Sequence, residues 1–366
     1  MNKKITYSQV GDDYDTKDPI KKMAQFFARQ TIIKDKSGFV ELSSTRGESA
    51  FVWQQDGVFM ASVVEGLGTK NLVADDMRKI TGKTYYDVIG HDTVATIIND
   101  LITVGAKPRV IHAYWAIEDN SWLQDHQRMT DFITGWRDAC KISMATWGGG
   151  ETPTLKGVIE KDTVDLGGSA IGVIEDKKRL ITDKKLKAGD RIVFLKSNGI
   201  NCNGLSLARA VAKKFPKGYA TKMSDGQVYG EALLTKTNIY AKLIQDLLNA
   251  GIDIHYISNI TGHGLRKIMR ARSNFTYVIE KLFEPQEVFL FTQKHANLTD
   301  DEIYQTLNMG QDYAIFLSPK DIKKAQEIIA KNKSQSLDAG YVKVGPRQVK
   351  ILQKNITYKS ETLDLR

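Results

Sequence analysis

The chain has 366 residues, more than the roughly 250 to 300 at which single hydrophobic cores stop growing, so we expect two domains. Hydrophobic residues make up 42% and charged residues 26%, which is typical of folded proteins and excludes an intrinsically disordered chain. The formal charge of +9 comes from scattered lysines and arginines. Without a basic stripe interleaved with aromatic residues, this charge predicts a solvated lysine-rich surface or attraction to phosphorylated metabolites, and no nucleic-acid partner.

The opening segment, MNKKITYSQVGDDYD, has no apolar run behind its basic residues, and no stretch approaches the roughly 18 apolar residues of a membrane span. We therefore expect a cytoplasmic protein with no membrane partner. The two cysteines, Cys140 and Cys202, form no Cys-x-x-Cys pair, so we expect both to be reduced and structural.

From residue 57 onward, strand-length apolar runs alternate with helical patterns, the rhythm of an α/β protein. The run at 58–64 predicts a strand that ends at a glycine turn. Apolar residues at helical spacing predict one helix over 94–104, ended by Gly105, and another over 129–140. The segment SMATW (143–147) predicts a strand before a three-glycine segment, and 166–174 predicts the next strand.

The charged, weakly periodic stretch 175–190 predicts the domain boundary. Beyond it, 191–195 predicts a strand, SNGINCNG a polar loop and 205–215 a helix. We predict an N-terminal domain over 1–176 and a C-terminal mixed-sheet α/β domain over 177–366.

The segment Glu65-Gly-Leu-Gly-Thr-Lys70 follows the first predicted strand. Closely spaced glycines let backbone N–H groups approach phosphate oxygens, and the lysine can neutralise their charge. The spacing is not that of a Walker loop. An ordinary tight turn is the alternative for this segment on its own.

The next segment, GHDTVATIIND (90–100), places Asp92, Thr96 and Asn99 on one helix face, with Asp100 beside it. Carboxylate and amide oxygens suit Mg²⁺, which usually combines one or two carboxylates with water and substrate phosphates. A solvent-exposed helix face with capping residues is the alternative.

Glycines also mark GGGET (148–152), and Asp165 precedes another glycine pair. Consecutive glycines carry an entropy cost, which indicates a close ligand approach or a backbone requirement, with a flexible loop as the alternative. The loops SNGINCNGLS and TGHG resemble anion sites at helix N-termini. His263 alone is more typical of a structural histidine, and no G-x-S-x-G elbow supports a hydrolytic triad. The residues alone predict phosphate and magnesium chemistry.

Seven segments, in order, match the motifs of one family. EGLGTK is similar to D-G-V-G-T-K, and IGHDTVATIINDLITVGAKP to I-G-I-D-L-V-A-M-x-x-N-D-L-x-x-x-G-A-x-P. GGGET is similar to G-G-E-T, and DLGGSAIGVIE to D-x-A-G-F-x-V-G-V-V-E. SNGINCNGLSLAR is similar to S-x-G-x-H-S-N-G-Y-S-L, NITGHGLRKIMR to H-I-T-G-G-G-x-x-x-N-I-P-R, and NMGQDY to N-x-G-V-G-M. Together they resemble the aminoimidazole ribonucleotide synthetase, or phosphoribosylformylglycinamidine cyclo-ligase, family of the AIR synthase-like superfamily.

The resemblance implies two α/β domains, a homodimer whose N-terminal sheets pair into a barrel, and an active site between the domains. It implies a ligase of de novo purine biosynthesis that uses ATP and Mg²⁺. ATP phosphorylates the formyl oxygen of formylglycinamidine ribonucleotide, and an internal nitrogen then closes the imidazole ring of aminoimidazole ribonucleotide.

The resemblance also implies the roles of individual residues. The expected nucleotide-binding residues are Glu65, Gly66, Gly68, Thr69, Lys70, Asn99, Gly149, Gly150 and Thr152. The expected magnesium ligands are Asp92, Asp100, Glu151 and Asp165. The expected catalytic residues are Lys70, Asp100, Asn201 and His263. We expect Asp92→Asn and Asp100→Asn to weaken the use of Mg-ATP and to leave the fold intact.

Three departures from the family pattern bear on the substrate. Glu65 replaces an aspartate, and Asn201 replaces a histidine and cannot act as a general base. His263, at a family glycine, is the candidate to substitute for that histidine. The glycine-rich loop expected near the N-terminus is reduced to SSTRGESAF (43–51). The alternatives are a kinase similar to thiamine-monophosphate kinase and a diverged nucleotide-binding paralogue without cyclisation activity.

Overall fold

The computed structural model describes residues 4–11, 13–34 and 36–363. Its helices are α1 Tyr14–Ala28, α2 Lys70–Thr81, α3 Tyr86–Leu101, α4 His126–Ile142, α5 Leu205–Ala212, α6 Tyr229–Leu233, α7 Ala241–Asn249, α8 Glu287–Ala296, α9 Asp300–Tyr304 and α10 Ile322–Lys331. Its strands are β1 Phe39–Glu41, β2 Phe51–Gln55, β3 Val58–Gly66, β4 Lys107–Ile117, β5 Thr146–Glu151, β6 Val164–Ile174, β7 Arg191–Lys196, β8 Ile254–Asn259, β9 Phe275–Ile279, β10 Gln311–Leu317, β11 Ser336–Val344, β12 Gln348–Ile351 and β13 Ile356–Lys359.

The N-terminal sheet has six strands in the order β1-β2-β3-β6-β4-β5. All neighbours are antiparallel except β4 and β5. Helix α3 packs against β3 and β6 and is covered in turn by α4. The two helices cross closely because each has a glycine at the contact. A Cβ on Gly90 would lie 2.3 Å from the Phe132 carbonyl oxygen, and a Cβ on Gly135 would lie 2.1 Å from that of Asp87.

The C-terminal sheet has seven strands in the order β13-β12-β9-β11-β7-β10-β8. It is mixed, because β9 and β12 run parallel while the other pairs are antiparallel. Every residue of β10 is buried. The chain therefore has the two-sheet α/β architecture that the sequence predicts.

Several predicted elements are confirmed at nearly the predicted bounds, including β3, β6, β7 and α4, whereas α3 begins at Tyr86, earlier than the predicted helix over 94–104. Helix α3 continues into a 3-10 turn that ends at Gly105, which is left-handed with φ +83°. Between β6 and β7 the only regular elements are two short 3-10 turns, at Lys177–Arg179 and Asp183–Lys185. Helix α5 is shorter than predicted and ends at Ala212.

The strand predicted at 143–147 is misplaced, because β5 begins at Thr146 and consists mainly of the three glycines. A Cβ on Gly150 would lie 2.3 Å from the carbonyl oxygen of Ala113 on the neighbouring strand β4. The glycines thus allow β5 to pack against β4, a requirement that the apolar pattern alone does not reveal.

The two domains meet along the C-terminal half of α3. Tyr313 on β10 donates its hydroxyl hydrogen bond to the Asn99 carbonyl oxygen, and the Asn259 side-chain amide donates to Asp100 at 2.7 Å. Helix α1 contributes no buried residue. Across the described parts of the chain, no helix combines the length and the apolar character needed to cross a membrane.

Candidate active site between the domains

A cavity of about 290 Å³ opens where the end of β3, helix α3 and the loop before α5 meet. We call it the glycine cavity. It is lined by Tyr7, Val10, Gly11, Lys17, Glu65, Gly66, Leu67, Gly68, Thr69, Thr96, Asp100, Cys202, Asn203, Gly204, Leu205, Ser206 and Thr261. Residues from both domains and from the N-terminal segment therefore form one site.

Two helices begin at this cavity. Thr69 precedes α2 and makes no side-chain cap, and Gly68 before it is left-handed with φ +73°. Gly204, with φ +81°, precedes α5 in the same way. The first backbone N–H groups of a helix have no partner within the helix, and its N-terminus carries partial positive charge. Two such N-termini facing one cavity favour a phosphorylated ligand.

Glu65 and Asp100 form a carboxyl pair at the cavity wall. Burial, together with the neighbouring Asp100 carboxylate, raises the pKa of Glu65 to about 7. Asp100 also accepts the Asn259 hydrogen bond at 2.7 Å. Two adjacent carboxylates repel each other unless a proton or a cation lies with them. Because Mg²⁺ often takes one or two carboxylates and completes its shell with water and phosphate oxygens, this pair fits a nucleotide-bound Mg²⁺.

A buried lysine compensates part of this negative charge. Lys267 is only 6% exposed and donates a hydrogen bond from its ammonium group to the Thr261 hydroxyl. Burial lowers the pKa of Lys267 to about 8, while Asp100 and Glu65 oppose the shift. Lys267 thus supplies positive charge beside the carboxyl pair.

Lys70 and Asp92, two of the expected site residues, lie outside the cavity wall. Both side chains are fully buried and form an ion pair. The Lys70 ammonium also donates to the Thr235 carbonyl oxygen at 2.9 Å, and Asp92 accepts the backbone N–H of Thr237 at 2.9 Å. The pair therefore connects α2 and α3 to the C-terminal domain.

Asn99 likewise forms hydrogen bonds between the two domains. Its side-chain amide donates to the Asn238 carbonyl oxygen at 2.7 Å, and its oxygen accepts the Tyr240 backbone N–H at 3.1 Å. Asn99 also borders a second, much smaller cavity of about 10 Å³, which we call the inner cavity. The inner cavity is lined by Thr96, Asn99, Asn201, Cys202, Asn203, Thr237, Tyr240, Asn259, Thr261 and Asp312.

His263 packs on helix α1 and does not line either cavity. Its ring stacks on Tyr14 with centroids 3.6 Å apart, and its Nε2 lies 3.3 Å from an Asp18 carboxylate oxygen. Burial, with nearby cations, lowers the pKa of His263 to about 2. The imidazole is therefore neutral at physiological pH and holds α1 over the loop at 261–264.

The residues of the GGGET segment lie far from the glycine cavity within one chain. Gly66 pairs with Gly167, Gly167 with Tyr114, and Tyr114 with Glu151. Three strand spacings of roughly 4.8 Å separate Gly66 from Glu151 by about 14 Å. None of Gly149, Gly150, Glu151, Thr152 and Asp165 lines the glycine cavity. Among the described residues there is no group of three or more His, Cys, Asp or Glu arranged to hold a metal ion.

A third cavity, of about 530 Å³, lies on the other side of Glu65. We call it the cationic cavity because Lys21, Arg46 and Arg270 line it. Arg270 is held in place by hydrogen bonds to the Gly47 carbonyl oxygen at 3.0 Å and the Ser49 hydroxyl at 2.9 Å. The shortened loop at 43–51 thus forms a wall of this cavity, and Glu65 borders both large cavities.

Comparison with known protein families agrees with this two-domain arrangement. The models of the AIR synthase related protein match residues 47–174 for the N-terminal domain and 187–352 for the C-terminal domain. This chain belongs to the AIR synthase related protein family.

Curated members of this family are similar along most of their length. The phosphoribosylformylglycinamidine cyclo-ligase of Methanothermobacter thermautotrophicus is 30% identical over 329 residues, covering 89% of this chain and 91% of the relative. The cyclo-ligase of Methanocaldococcus jannaschii is 32% identical over 338 residues, covering 89% of each chain.

Solved structures share the family fold at lower identity. The HypE–HypF complex superposes with a TM-score of 0.62 at 16% identity, covering 93% of this chain and 98% of the other. AaThiL complexed with AMPPCP and TMP has a TM-score of 0.60 at 13% identity, covering 97% of both chains. These likenesses extend the fold assignment to the whole chain.

Several residues of this AIR synthase related site are absent from the sequence-based predictions. Asn259, Lys267, Arg270 and Asp312 each contact a residue more than 100 positions away or line a cavity built from distant segments. All four lie in the segments NITGHGLRKIMR and NMGQDY, whose similarity to family motifs was the available signal. Their partners could not be assigned without the fold.

Proposed function

We propose that the protein is an ATP-dependent cyclo-ligase that converts formylglycinamidine ribonucleotide to aminoimidazole ribonucleotide in de novo purine biosynthesis. The observation that carries this proposal is the Glu65–Asp100 pair, because both residues line the glycine cavity and Glu65 also lines the cationic cavity. A carboxyl group that borders both the glycine cavity and the cationic cavity suits the transfer of a phosphoryl group between two phosphorylated ligands, one in each cavity. The similarity to curated cyclo-ligases along about nine-tenths of the chain supports the same assignment.

The first step is phosphoryl transfer from ATP to the formyl oxygen, with release of ADP. The N-terminus of α2 and the glycines at 66 and 68 supply backbone donors to the ATP phosphates, while Glu65 and Asp100 would hold Mg²⁺. When bound, Mg²⁺ neutralises the charge that develops on the transferred phosphoryl group. Lys267 adds a fixed positive charge beside the same group.

Ring closure follows at the formyl carbon, whose oxygen has been phosphorylated. An amidine nitrogen attacks the activated formyl carbon, the C–O bond to phosphate breaks, and inorganic phosphate and a proton are released. Phosphorylation is needed because it converts a poor leaving group into a good one. The protein contributes mainly by holding the amidine nitrogen close to the activated formyl carbon.

The cationic cavity is the proposed binding site for the phosphate end of the ribonucleotide. We assign the 5′-phosphate of the ribonucleotide to Lys21, Arg46 and Arg270, which line this cavity. Arg46 is paired with Glu41, and Arg270 lies 4.0 Å from Glu48, which also lines the cavity. Lys21, half exposed and 3.6 Å from Asp18, is therefore the most available of the three cations. With the 5′-phosphate in the cationic cavity, only the formyl and amidine end of the ribonucleotide has to extend past Glu65 to reach ATP in the glycine cavity.

The solvent face of the N-terminal sheet supports the expected homodimer. Val64 on β3 is 79% exposed, and Val58 on β3 and Tyr114 on β4 are also exposed. Exposed apolar side chains on one face of an open sheet are typical of a surface that another sheet covers. In sedimentation analysis Val64→Glu should shift a dimer to a monomer, and an unchanged sedimentation coefficient would contradict the dimer.

Product analysis tests the enzyme assignment. The purified protein with Mg-ATP and formylglycinamidine ribonucleotide should form ADP, phosphate and aminoimidazole ribonucleotide in equal amounts. Thiamine monophosphate serves as the competing substrate, because AaThiL with AMPPCP and TMP shares the fold. Thiamine diphosphate without imidazole product would replace the cyclo-ligase assignment by the kinase, and nucleotide binding without either product would indicate a paralogue lacking both activities.

A further inference from the structure

Asn201 and Asp312 are in direct contact although 111 positions separate them. The Asn201 side-chain amide donates to the Asp312 carboxylate at 2.7 Å. In the motifs quoted above, Asn201 stands at the histidine of S-x-G-x-H-S-N-G, and Asp312 stands at the second glycine of N-x-G-V-G-M. Two departures from the family pattern therefore touch each other, which indicates that they act together.

Asp312 is a carboxylate held by several donors. It is 2% exposed and accepts from the Tyr240 hydroxyl at 2.7 Å and, more weakly, from the Asn238 amide at 3.4 Å. Burial raises the pKa of Asp312 to about 6 while these donors oppose the shift. Above that pH the carboxylate only accepts hydrogen bonds. The NH₂ group of Asn201 must therefore face Asp312, and its Oδ1 must face away.

Asn201 lines the inner cavity of about 10 Å³, which adjoins the glycine cavity. Its backbone is left-handed, with φ +59°, a conformation that asparagine tolerates better than most residues. The inner cavity, which Asn201 lines, shares four residues with the glycine cavity: Thr96, Cys202, Asn203 and Thr261. Asn259 also lines it and donates to Asp100. Asn201 thus borders the same cavity as Asn259, which contacts the carboxyl pair.

We propose that Asp312 is a positioning residue that orients the Asn201 amide, so that Asn201 Oδ1 accepts a hydrogen bond from an N–H of the substrate amidine. This inference rests on the proposed cyclo-ligase function. The amidine is the part of the ribonucleotide rich in N–H donors, whereas the phosphates of ATP offer none. An acceptor here therefore selects the ring-closing end of the substrate and places it beside the activated carbon.

The substitution Asp312→Asn tests the orientation. The new amide at position 312 can still accept from Tyr240, but it then presents its own NH₂ group to Asn201. Asn201 must turn its oxygen toward position 312 and its NH₂ group toward the cavity. The KM for formylglycinamidine ribonucleotide should rise about 10- to 100-fold, the range for a lost hydrogen bond to a charged group. The KM for ATP should stay unchanged.

Two further variants separate positioning from a structural role. Combining Asp312→Asn with Asn201→Asp reverses donor and acceptor, so that a carboxylate oxygen again faces the cavity, and the ribonucleotide KM should return toward the wild-type value. Tyr229→Phe removes a buried hydroxyl that hydrogen-bonds the Thr292 hydroxyl at 2.8 Å and lines none of the three named cavities, so it should lower the melting temperature without raising that KM. If Asp312→Asn does not fold, Asn201→Ala removes the acceptor directly and should raise the same KM.

The outcomes distinguish this inference from the proposed function. A wild-type protein that forms no imidazole product would overturn the function and, with it, the inference. An active wild type would overturn the inference alone if Asp312→Asn or Asn201→Ala left the ribonucleotide KM unchanged. A double variant as impaired as Asp312→Asn would also overturn it.

Discussion

Lys70 and Asp92 form a fully buried ion pair that joins the two domains. Lys70 is the first residue of α2, and Asp92 lies near the start of α3. The pair reaches the C-terminal domain through the Thr235 carbonyl oxygen and the Thr237 backbone N–H. The sequence assigns Lys70 to phosphate binding and Asp92 to magnesium. In the structure the two side chains instead hold the two domains together beside the glycine cavity.

Asp92→Asn should destabilise the protein strongly. Removing one partner of a buried pair leaves the Lys70 ammonium without its counter-charge, which costs about 3 to 5 kcal/mol. This result would differ from the sequence-based expectation that the variant keeps the fold intact. The free energy of unfolding in urea provides the measurement.

Lys79→Met is the matched control, since Lys79 also lies on α2 but pairs with Asp76 at the surface. It should change the free energy of unfolding by less than about 1 kcal/mol. Equal stability of Asp92→Asn and Lys79→Met would show that the buried pair has no structural role.

Asp100→Asn should abolish turnover without loss of stability. The new side chain can still accept from Asn259, and it removes one of two adjacent carboxylates, so the melting temperature should be unchanged or higher. Loss of a group that holds the metal and phosphoryl charge should lower kcat about 100- to 1000-fold. ADP formation at several Mg²⁺ concentrations measures this, and near-wild-type turnover would remove Asp100 from the proposed magnesium site.

The sequence predicts the elements well because their periodicity is local. Strand β3 and helix α3 have clear apolar patterns, and Gly105 ends its helical segment as expected. The prediction misplaces strand β5 because glycines carry no apolar signal. The glycines are needed there because the strand lies close to Ala113 on β4. Such a contact becomes visible only once the sheet order is known.

The candidate site was predictable only in part for the same reason. The motifs locate Glu65, Gly68 and Asp100 at one cavity, because they lie at the ends of neighbouring elements. They do not show that Lys70 is buried or that His263 packs on Tyr14. The partners that decide these roles belong to segments distant in the chain.

Lys21→Met should weaken ribonucleotide binding selectively. Lys21 lines the cationic cavity, its side chain is 50% exposed, and its ammonium lies 3.6 Å from an Asp18 carboxylate oxygen. Loss of one partly screened charge should raise the KM for the ribonucleotide about three- to tenfold and leave the KM for ATP unchanged. Lys22→Met, on the same helix but outside the cavity lining, is the control. A rise in the ATP KM alone would exchange the ligands assigned to the two cavities.

His263 should contribute a loss of stability at acid pH, opposite in sign to Glu65 and Asp312, whose raised pKa values of about 7 and about 6 favour the folded state as the pH falls. Burial lowers the pKa of His263 to about 2 in the folded state, whereas an unfolded histidine titrates near 6.5. Between these two values the unfolded histidine binds one more proton than the folded one, so the contribution of His263 to the free energy of unfolding decreases as the pH falls below about 6.5. At pH 5 this contribution should be about 2 kcal/mol smaller than at pH 7.5.

His263→Asn tests this, because asparagine accepts the left-handed backbone at φ +70° and does not titrate. The variant will be less stable at pH 7.5, since it loses the stacking on Tyr14, but its stability relative to the wild type should rise by about 2 kcal/mol between pH 7.5 and pH 5. Urea unfolding at pH 5, 6 and 7.5 for both proteins gives the two curves. The curves should converge toward pH 5, and parallel curves would show that His263 takes up a proton in the folded protein.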